Sequence, residues 1–275
     1  MTVTTERAWI GSAGDRGEED RAAWLRLAMA LAILSVAIIS LHDTMMNLHT
    51  GRLHLVAATA GIAVAAALAL GERTSQAGLV LFSVSIGVYV ADKWALYHNH
   101  GWLAVWSLGP AMIFGARWWE SADFRWYLRM TLGVVMLGAA AQKLIAGTYL
   151  DGSFIGYMSL HGSETEWLFG FLCGPTLAES SCLAHAALGT FLVLWQIAVG
   201  ALLLAGVTNR WFLFVEIAFL LGAGVYADEM NFQALNIALF CIAFGYGTPP
   251  KLAGLVIALL VLDMVKISNM VAFFL

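Results

Sequence analysis

The residue with the clearest potential for chemistry is Lys143, near the end of an apolar helix predicted over residues 124–147. A charged side chain at bilayer depth costs about 2.5–3.5 kcal/mol on insertion scales and usually faces a protein interior or a cavity. A poorly hydrated lysine there can act as a general base. Alternatively, the long side chain reaches the membrane interface and is simply solvated. Both interpretations are open from the lysine alone.

A second polar group lies at the end of another predicted span. Asp92 and Lys93 are near the end of this helix, and His98, Asn99 and His100 follow. Imidazole can transfer protons near neutral pH, and an amide both donates and accepts hydrogen bonds. Asn99 and His100 are therefore catalytic candidates, whereas a polar loop at the membrane interface is the plainer interpretation.

A third polar group joins two later spans. Asp228 and Glu229 are followed by two amides, Asn231 and Gln233, just where a helix is predicted to begin. Such residues could bind a polar headgroup or position a reactant. The alternative is a solvated turn with a polar helix start.

Metal binding is the other chemistry that these residues could support. His42, His49, His98 and His100 are all predicted on one side of the membrane, and imidazoles together with carboxylates can ligate iron, copper or zinc. However, the sequence has no HxxxH or HxxHH run, and two histidines two residues apart fit one helical face poorly. We therefore expect no bound metal, and a membrane metalloenzyme is the alternative hypothesis.

The composition indicates which elements must position these groups. Of 275 residues, 61% are hydrophobic and only 12% are charged, which is typical of a polytopic helical membrane protein. The net charge of −4 suggests no nucleic-acid surface. After a polar cytoplasmic tail (1–22), residues 23–275 are predicted to form one all-α membrane domain. Its nine expected spans are 23–42, 53–71, 77–97, 102–118, 124–147, 183–206, 210–227, 230–247 and 251–275.

The basic residues predict the orientation of these spans, because lysine and arginine concentrate in cytoplasmic loops. They occur in the tail and in alternate loops, at Arg73, Arg117, Arg125, Arg210 and Lys251. The other loops have almost none, Arg52 being the exception. The N-terminus is therefore expected inside, and the polar groups described above are expected on the extracytoplasmic side, in a bacterial cytoplasmic membrane with the site facing the periplasm or exterior.

One long segment, 148–182, does not clearly span and is expected to lie outside or to re-enter the membrane. It carries Cys173 and Cys182, which an oxidising compartment would allow to form a disulfide. Two free cysteines are the alternative.

Taken in order, three segments resemble the membrane domain of vitamin K-dependent gamma-carboxylases and their bacterial relatives, the HTTM family. That family has an Asp-Lys pair and then Asn-His-aromatic-Leu; a helix ending in Ala-Gly-x-x-Lys-Leu, followed by an aromatic residue and Gly-Ser; and His-x-Met-Asn-x-Gln. The residues that correspond here are Asp92, Lys93, Asn99, His100, Trp102, Leu103, Ala139, Lys143, Leu144, Tyr149, Gly152, Ser153, Met230, Asn231 and Gln233. Asp228 stands where the family has histidine.

The resemblance implies a mechanism in which the motif lysine deprotonates a reduced quinone that then reacts with O2 to give the epoxide. Lys143 would be the base, and His100 with Asn99 would polarise groups or relay protons. The substrate-binding residues implied by the matched segments are Asp92, Lys93, Trp102, Tyr149, Asp228, Asn231 and Gln233. The implied co-substrates are a vitamin K-type hydroquinone, O2 and, if carboxylation is retained, CO2.

The departures from the family narrow this expectation. The large extracytoplasmic domain of the animal carboxylases has no counterpart here, so we expect oxidation or epoxidation of a hydroquinone-type lipid rather than protein carboxylation. Linked modification of a small secreted peptide, with a partner protein, is a further possibility. A DoxX-like subunit or assembly factor without enzymatic activity is the nearest alternative, since it too ends a helix in Gly-x-x-Lys-Leu.

Overall fold

The structure is a computed structural model that describes residues 15–46, 52–93, 99–161, 173, 182–227 and 229–274. These described residues form ten α-helices and two short 3₁₀ segments, with no β-strand among them. The helices are α1 (Asp15–Met46), α2 (Leu53–Leu70), α3 (Ser75–Lys93), α4 (Asn99–Leu108), α5 (Ala122–Ala146), α6 (Ser153–His161), α7 (Leu183–Leu204), α8 (Arg210–Ala227), α9 (Met230–Ala243) and α10 (Pro250–Phe274). The 3₁₀ segments, Gly109–Phe114 and Trp118–Glu120, lie between α4 and α5.

Five of the described segments are long and apolar enough to cross a membrane, which is compatible with an integral membrane protein. They are Gly17–Met45, Leu53–Leu70, Ser75–Lys93, Ala122–Ala146 and Leu183–Leu204. Two apolar helices are shorter, α9 and the Pro250–Leu262 part of α10. The count of nine spans and the orientation stay predictions.

Two boundaries differ from the sequence prediction. Helix α1 begins at Asp15, so residues 15–22 of the predicted tail are helical. Acidic residues 18–20 lie near this N-terminus, where the helix dipole stabilises negative charge. The first fourteen residues lie outside the described part of the chain.

The predicted fourth span, 102–118, is also interrupted. Helix α4 ends at Leu108 and a 3₁₀ segment continues to Phe114, because Pro110 has no N–H to donate to the carbonyl of Trp106. The hydroxyl of Tyr127 in α5 donates a hydrogen bond to that carbonyl instead. A break of this kind is tolerated at membrane depth when a neighbouring helix satisfies the released backbone group.

Helix α9 is the centre of the bundle. From Gln233 to Ala243 every residue is buried, and α9 packs against α1, α8, α5, α10 and α4. All of these residues except Gln233 and Asn236 are apolar, and a helix that is apolar on nearly all sides is stable only when other helices enclose it. The remaining tight pairs are α1 with α2, α2 with α3, and α5 with α7, which place sequential helices side by side.

The alternating direction of the helices separates two ends of the bundle. At the arginine end, Arg21 donates to the carbonyl of Gly245 just after α9, and Arg129 donates to the carbonyl of Ala243 at the end of α9. Arg26 donates to the carbonyl of Leu70 at the end of α2. At the opposite end, here called the Lys143 end, lie the C-terminal ends of α1, α3 and α5 and the N-terminal ends of α2, α4, α7 and α9.

Helix α7 is held against α5 and the loop after it by glycines. A Cβ added to Gly133 or Gly200 would crowd the carbonyl of the other residue, so the α5 and α7 backbones meet there. A Cβ at Gly189 would overlap the carbonyl oxygen of Tyr149. By contrast, a Cβ added to Gly138 of α5 would meet nothing within 4 Å.

We expect the substitution Gly189→Ala to destabilise the protein by about 1–3 kcal/mol, because the new methyl group must displace the Tyr149 backbone. The matched control is Gly222→Ala in α8, where a Cβ meets nothing within 4 Å. This control should gain up to about 1 kcal/mol from higher helix propensity. Thermal unfolding in nanodiscs measures both variants, and equal midpoints would contradict the close contact.

Candidate functional site

Lys143 lies on the buried face of α5. The buried residues of this helix recur three to four positions apart, a spacing that places them on one face. They are Phe124, Leu128, Leu132, Gly133, Met136 and Ala140. Lys143 follows Ala140 by three residues and therefore continues this face, and its side chain is half-buried. The amine is thus directed into the protein rather than toward surrounding lipid.

The turn after α5 brings an aromatic ring to this amine. Gly147 ends the helix in the left-handed conformation with φ 73°, and its N–H donates to the carbonyl of Lys143 at 3.1 Å. The chain then turns so that the Tyr149 ring centroid lies 5.0 Å from Nζ of Lys143, a cation–π distance. Tyr149 also stacks on Phe154, at 4.5 Å between ring centroids.

A carboxylate from the next helix pair faces the same amine. Glu229 lies in the tight connection between α8 and α9, where its N–H donates to Gly224 and its carbonyl accepts from Gln233. Glu229 is exposed as a whole residue, yet desolvation of its carboxyl group raises its pKa, an effect that the nearby positive charge of Lys143 opposes. Burial, with the charge of Glu229, raises the pKa of Tyr149 to about 12. Tyr149 therefore keeps its proton at neutral pH.

His100 reaches α9 from the other side. It precedes the buried residues Ala104 and Ser107 of α4 by one and two helical turns, so it shares their face. Its imidazole stacks on the ring of Phe232 with centroids 3.8 Å apart and planes 13° from parallel. Contact with the first turn of α9 therefore fixes the plane of the imidazole.

Lys143 and His100 thus converge on the same turn of α9. Glu229, the N-cap residue of α9, and Phe232 are three residues apart in the first turn of this helix. We call the group Lys143, Tyr149, Glu229, His100 and Phe232 the Lys143 site. A base, a carboxylate, an imidazole and two aromatic rings at one place can exchange protons with an aromatic ligand and contact it through flat faces.

Other predicted residues are close to this site in sequence but have different surroundings. Asn231 accepts a hydrogen bond from the N–H of Phe232, and Gln233 is buried against Gly224 of α8, where its side chain meets Asn236. Trp102 packs half-buried against the core. The side chain of Asn99 and the whole of residue 228, which the sequence predicted as site residues, lie outside what the structure describes.

Asp92 and Lys93 are held by partners from α1 and α2. Asp92 accepts hydrogen bonds from Arg52 at 2.7 Å and shares one with His54 at 3.0 Å. The ammonium of Lys93 is buried and lies 3.3 Å from the Asp43 carboxylate. Each therefore has a structural ion-pair partner, which also explains why Arg52 departs from the charge pattern of the loops.

Asp43 connects this region to a buried hydroxyl network. Tyr89 donates to Asp43 at 2.7 Å, and Thr44 shares hydrogen bonds with Tyr89 and Thr59. A largely apolar groove of about 480 Å³ lies beside it, between α1, α2 and α10. Its lining includes Leu34, Ile38, Thr44, Thr59, Leu260 and Met264.

The histidines considered as metal ligands do not assemble in the described part of the chain. His42 and His100 belong to no cluster of three or more potential ligands there, and His49 and His98 lie outside the described residues. The described residues contain one such cluster, formed by Cys173, Cys182 and His185. The two cysteines are joined by a disulfide with Cα atoms 5.9 Å apart.

Sequence reasoning named Glu229 in the polar connection between α8 and α9 but did not pair it with Lys143. It did not single out Phe232, and it did not connect His185 with the two cysteines. The three-residue spacing of Glu229 and Phe232 at the start of a helix predicts that they lie near each other, but it does not reveal that Lys143 and His100 approach them. His185 follows Cys182 by three residues, which is the spacing of the two residues of a capping box at a helix N-terminus.

Comparison of the chain with family models, with curated proteins and with solved structures gave no match.

We expect Lys143→Met to raise the pKa of Glu229 further, because the substitution removes the positive charge that opposes the effect of desolvation. Infrared spectroscopy of the protonated carboxyl band during a pH titration would measure this change, and Glu229→Gln would identify the band by its loss. Lys251→Met, at the beginning of α10 near the arginine end, is the control and should leave the titration unchanged. An unaltered midpoint in Lys143→Met would show that the two groups do not interact.

Proposed function

We propose that the protein is an integral membrane enzyme that oxidises or epoxidises a hydroquinone-type lipid with O2 at the Lys143 site. The observation that carries this proposal is the convergence of Lys143 and His100 on Glu229 and Phe232 in one turn of α9. The sequence resemblance to the vitamin K-dependent carboxylase membrane domain independently selects Lys143 and His100.

Each residue has a part in this proposal. The unprotonated form of Lys143 takes the proton of the phenolic hydroxyl, and Glu229 balances the positive charge that the amine then carries. His100, whose plane is fixed by Phe232, donates or accepts a hydrogen bond at the other oxygen of the ring. Tyr149, which keeps its proton, offers a hydroxyl and an aromatic face. In the overall reaction one atom of O2 enters the epoxide and the other leaves as water.

The length of α9 supports a site set below the membrane surface. Its 14 residues span about 21 Å, less than the roughly 30 Å of a bilayer hydrocarbon core. Arginine hydrogen bonds hold its C-terminal end near the arginine end of the bundle. The first turn, with Phe232, is then recessed from the opposite surface, where a lipid-soluble ring can enter from the bilayer.

The groove between α1, α2 and α10 supports a lipid ligand. Its lining is almost entirely aliphatic and its volume of about 480 Å³ accommodates part of an isoprenoid or acyl chain. The concentration of arginine at the opposite end supports an extracytoplasmic position for the Lys143 end. A small peptide or a partner protein would approach from this side, along segment 148–182.

The test supplies a reduced naphthoquinone with an isoprenoid chain, together with ¹⁸O2, to the purified protein in nanodiscs. We expect an epoxide that contains one ¹⁸O atom, and we expect Lys143→Ala to lower its rate at least 100-fold, because general-base catalysis contributes typically 10²–10⁴-fold. Mass spectrometry separates the epoxide from the quinone formed by autoxidation. Empty nanodiscs serve as the control that measures the rate of this autoxidation.

A matched variant distinguishes proton transfer from packing. His100→Phe keeps an aromatic ring against Phe232 but removes the ring nitrogens, so epoxide formation should fall while the melting temperature is retained. Lys251→Ala, far from the site, should have wild-type activity. Equal epoxide formation by Lys143→Ala and by the wild type, or no epoxide from either protein, would contradict the proposed function.

A further inference from the structure

A second reactive group, separate from the Lys143 site, lies at the start of α7. It consists of the disulfide between Cys173 and Cys182 and of the imidazole of His185. Their sulfur and nitrogen atoms all lie within 4.8 Å of one another. Both cysteines are half-buried, and His185 is fully buried at 0% exposure. A disulfide that only links two segments of the chain does not need a buried imidazole beside it.

The hydrogen bonds of His185 assign the position of its proton. Nδ1 lies 3.5 Å from the backbone N–H of Cys182 and accepts from it. A neutral imidazole with an accepting Nδ1 carries its hydrogen on Nε2. Nε2 lies 3.6 Å from Sγ of Cys173, so its N–H can donate to that sulfur. A donor at this position stabilises negative charge on Cys173 when the disulfide opens.

The other sulfur is stabilised by the helix. Cys182 is the N-cap of α7 and forms a capping box with His185, in which its Sγ faces the backbone N–H of that residue. The N-terminus of a helix favours a negative charge and lowers the energy of a cysteine thiolate placed there. Each sulfur therefore has its own N–H donor, one from a side chain and one from the backbone.

From these contacts we propose that Cys173–Cys182 is a redox-active disulfide that accepts two electrons from a dithiol, with His185 stabilising the first leaving thiolate. A thiolate of the dithiol attacks Sγ of Cys182, forms a mixed disulfide and breaks the bond to Cys173, which leaves as the thiolate facing Nε2–H. The second thiol of the dithiol then attacks the dithiol's other sulfur, which is bonded to Cys182 in the mixed disulfide, and Cys182 leaves as a thiolate. The dithiol becomes a disulfide, and its two protons end on the two cysteines.

The disulfide adjoins the segment that carries Tyr149. A Cβ at Gly152 would crowd the backbone of His185 and Ala186, and Gly189 of α7 contacts the Tyr149 carbonyl. The first two turns of α7 therefore touch both the thiol pair and the loop of the Lys143 site. The exchange reaction itself does not depend on any chemistry at Lys143, so the two proposals succeed or fail separately.

The experiment equilibrates full-length protein in nanodiscs with glutathione buffers of increasing ratio of reduced to oxidised form, and counts thiols by a maleimide gel shift. The substitution Cys241→Ala removes the buried third thiol from the count. We expect a two-thiol transition within the range of the buffer. His185→Leu should shift the equilibrium constant at least tenfold toward the disulfide, whereas His185→Gln, which keeps an N–H donor, should stay within about threefold of the wild type.

A second measurement keeps the proposal testable if His185→Leu does not fold. Cys182→Ser retains a good N-cap and leaves the Cys173 thiol beside His185. Its alkylation rate should be half-maximal below the pH of about 8.5 that is typical of free cysteine. The proposal is overturned by a disulfide that stays oxidised at every glutathione ratio, by an unshifted alkylation profile, or by purified protein with free cysteines and one bound zinc ion.

Discussion

The enclosure of α9 is the constraint on which the rest of the bundle depends. In a bilayer, apolar burial gives little driving force between helices, so close van der Waals packing and satisfied polar groups must hold them together. Helix α9 is buried from Gln233 to Ala243 and contacts five other helices. Its beginning is also where α4 and α5 bring His100 and Lys143. The helix that organises the packing therefore also positions the candidate site.

Charge at the Lys143 end is arranged in three separate groups. Asp92 is paired with Arg52 and His54, and Lys93 with Asp43, so these charges are largely compensated by direct contacts. The amine of Lys143 differs, because it has an aromatic ring at 5.0 Å and the carboxylate of Glu229 nearby. A compensated pair stabilises a structure, whereas an amine with looser electrostatic partners can change its protonation state during a reaction.

Hydropathy was sufficient to predict the all-helical architecture and its long apolar helices, of which five in the described part of the chain are long and apolar enough to cross a membrane. It failed between residues 102 and 118, where a single proline and the hydroxyl of Tyr127 decide the backbone. The importance of Lys143 followed from its type and surroundings. Its partners did not, because Glu229 and Phe232 become neighbours of α5 and α4 only through the packing of α9. The sequence also grouped Asp92 with the site, since spacing along the chain does not reveal that Arg52 and His54 bind it.

The arginines at the far end of the bundle have two effects at once. Basic residues on one side decide which way a nascent chain inserts, and here Arg21, Arg26 and Arg129 also bind carbonyls that would otherwise lack partners at helix ends. Each of these arginines is thus both a basic charge of the kind that directs insertion and a partner for a helix-end carbonyl, so one substitution would change both together.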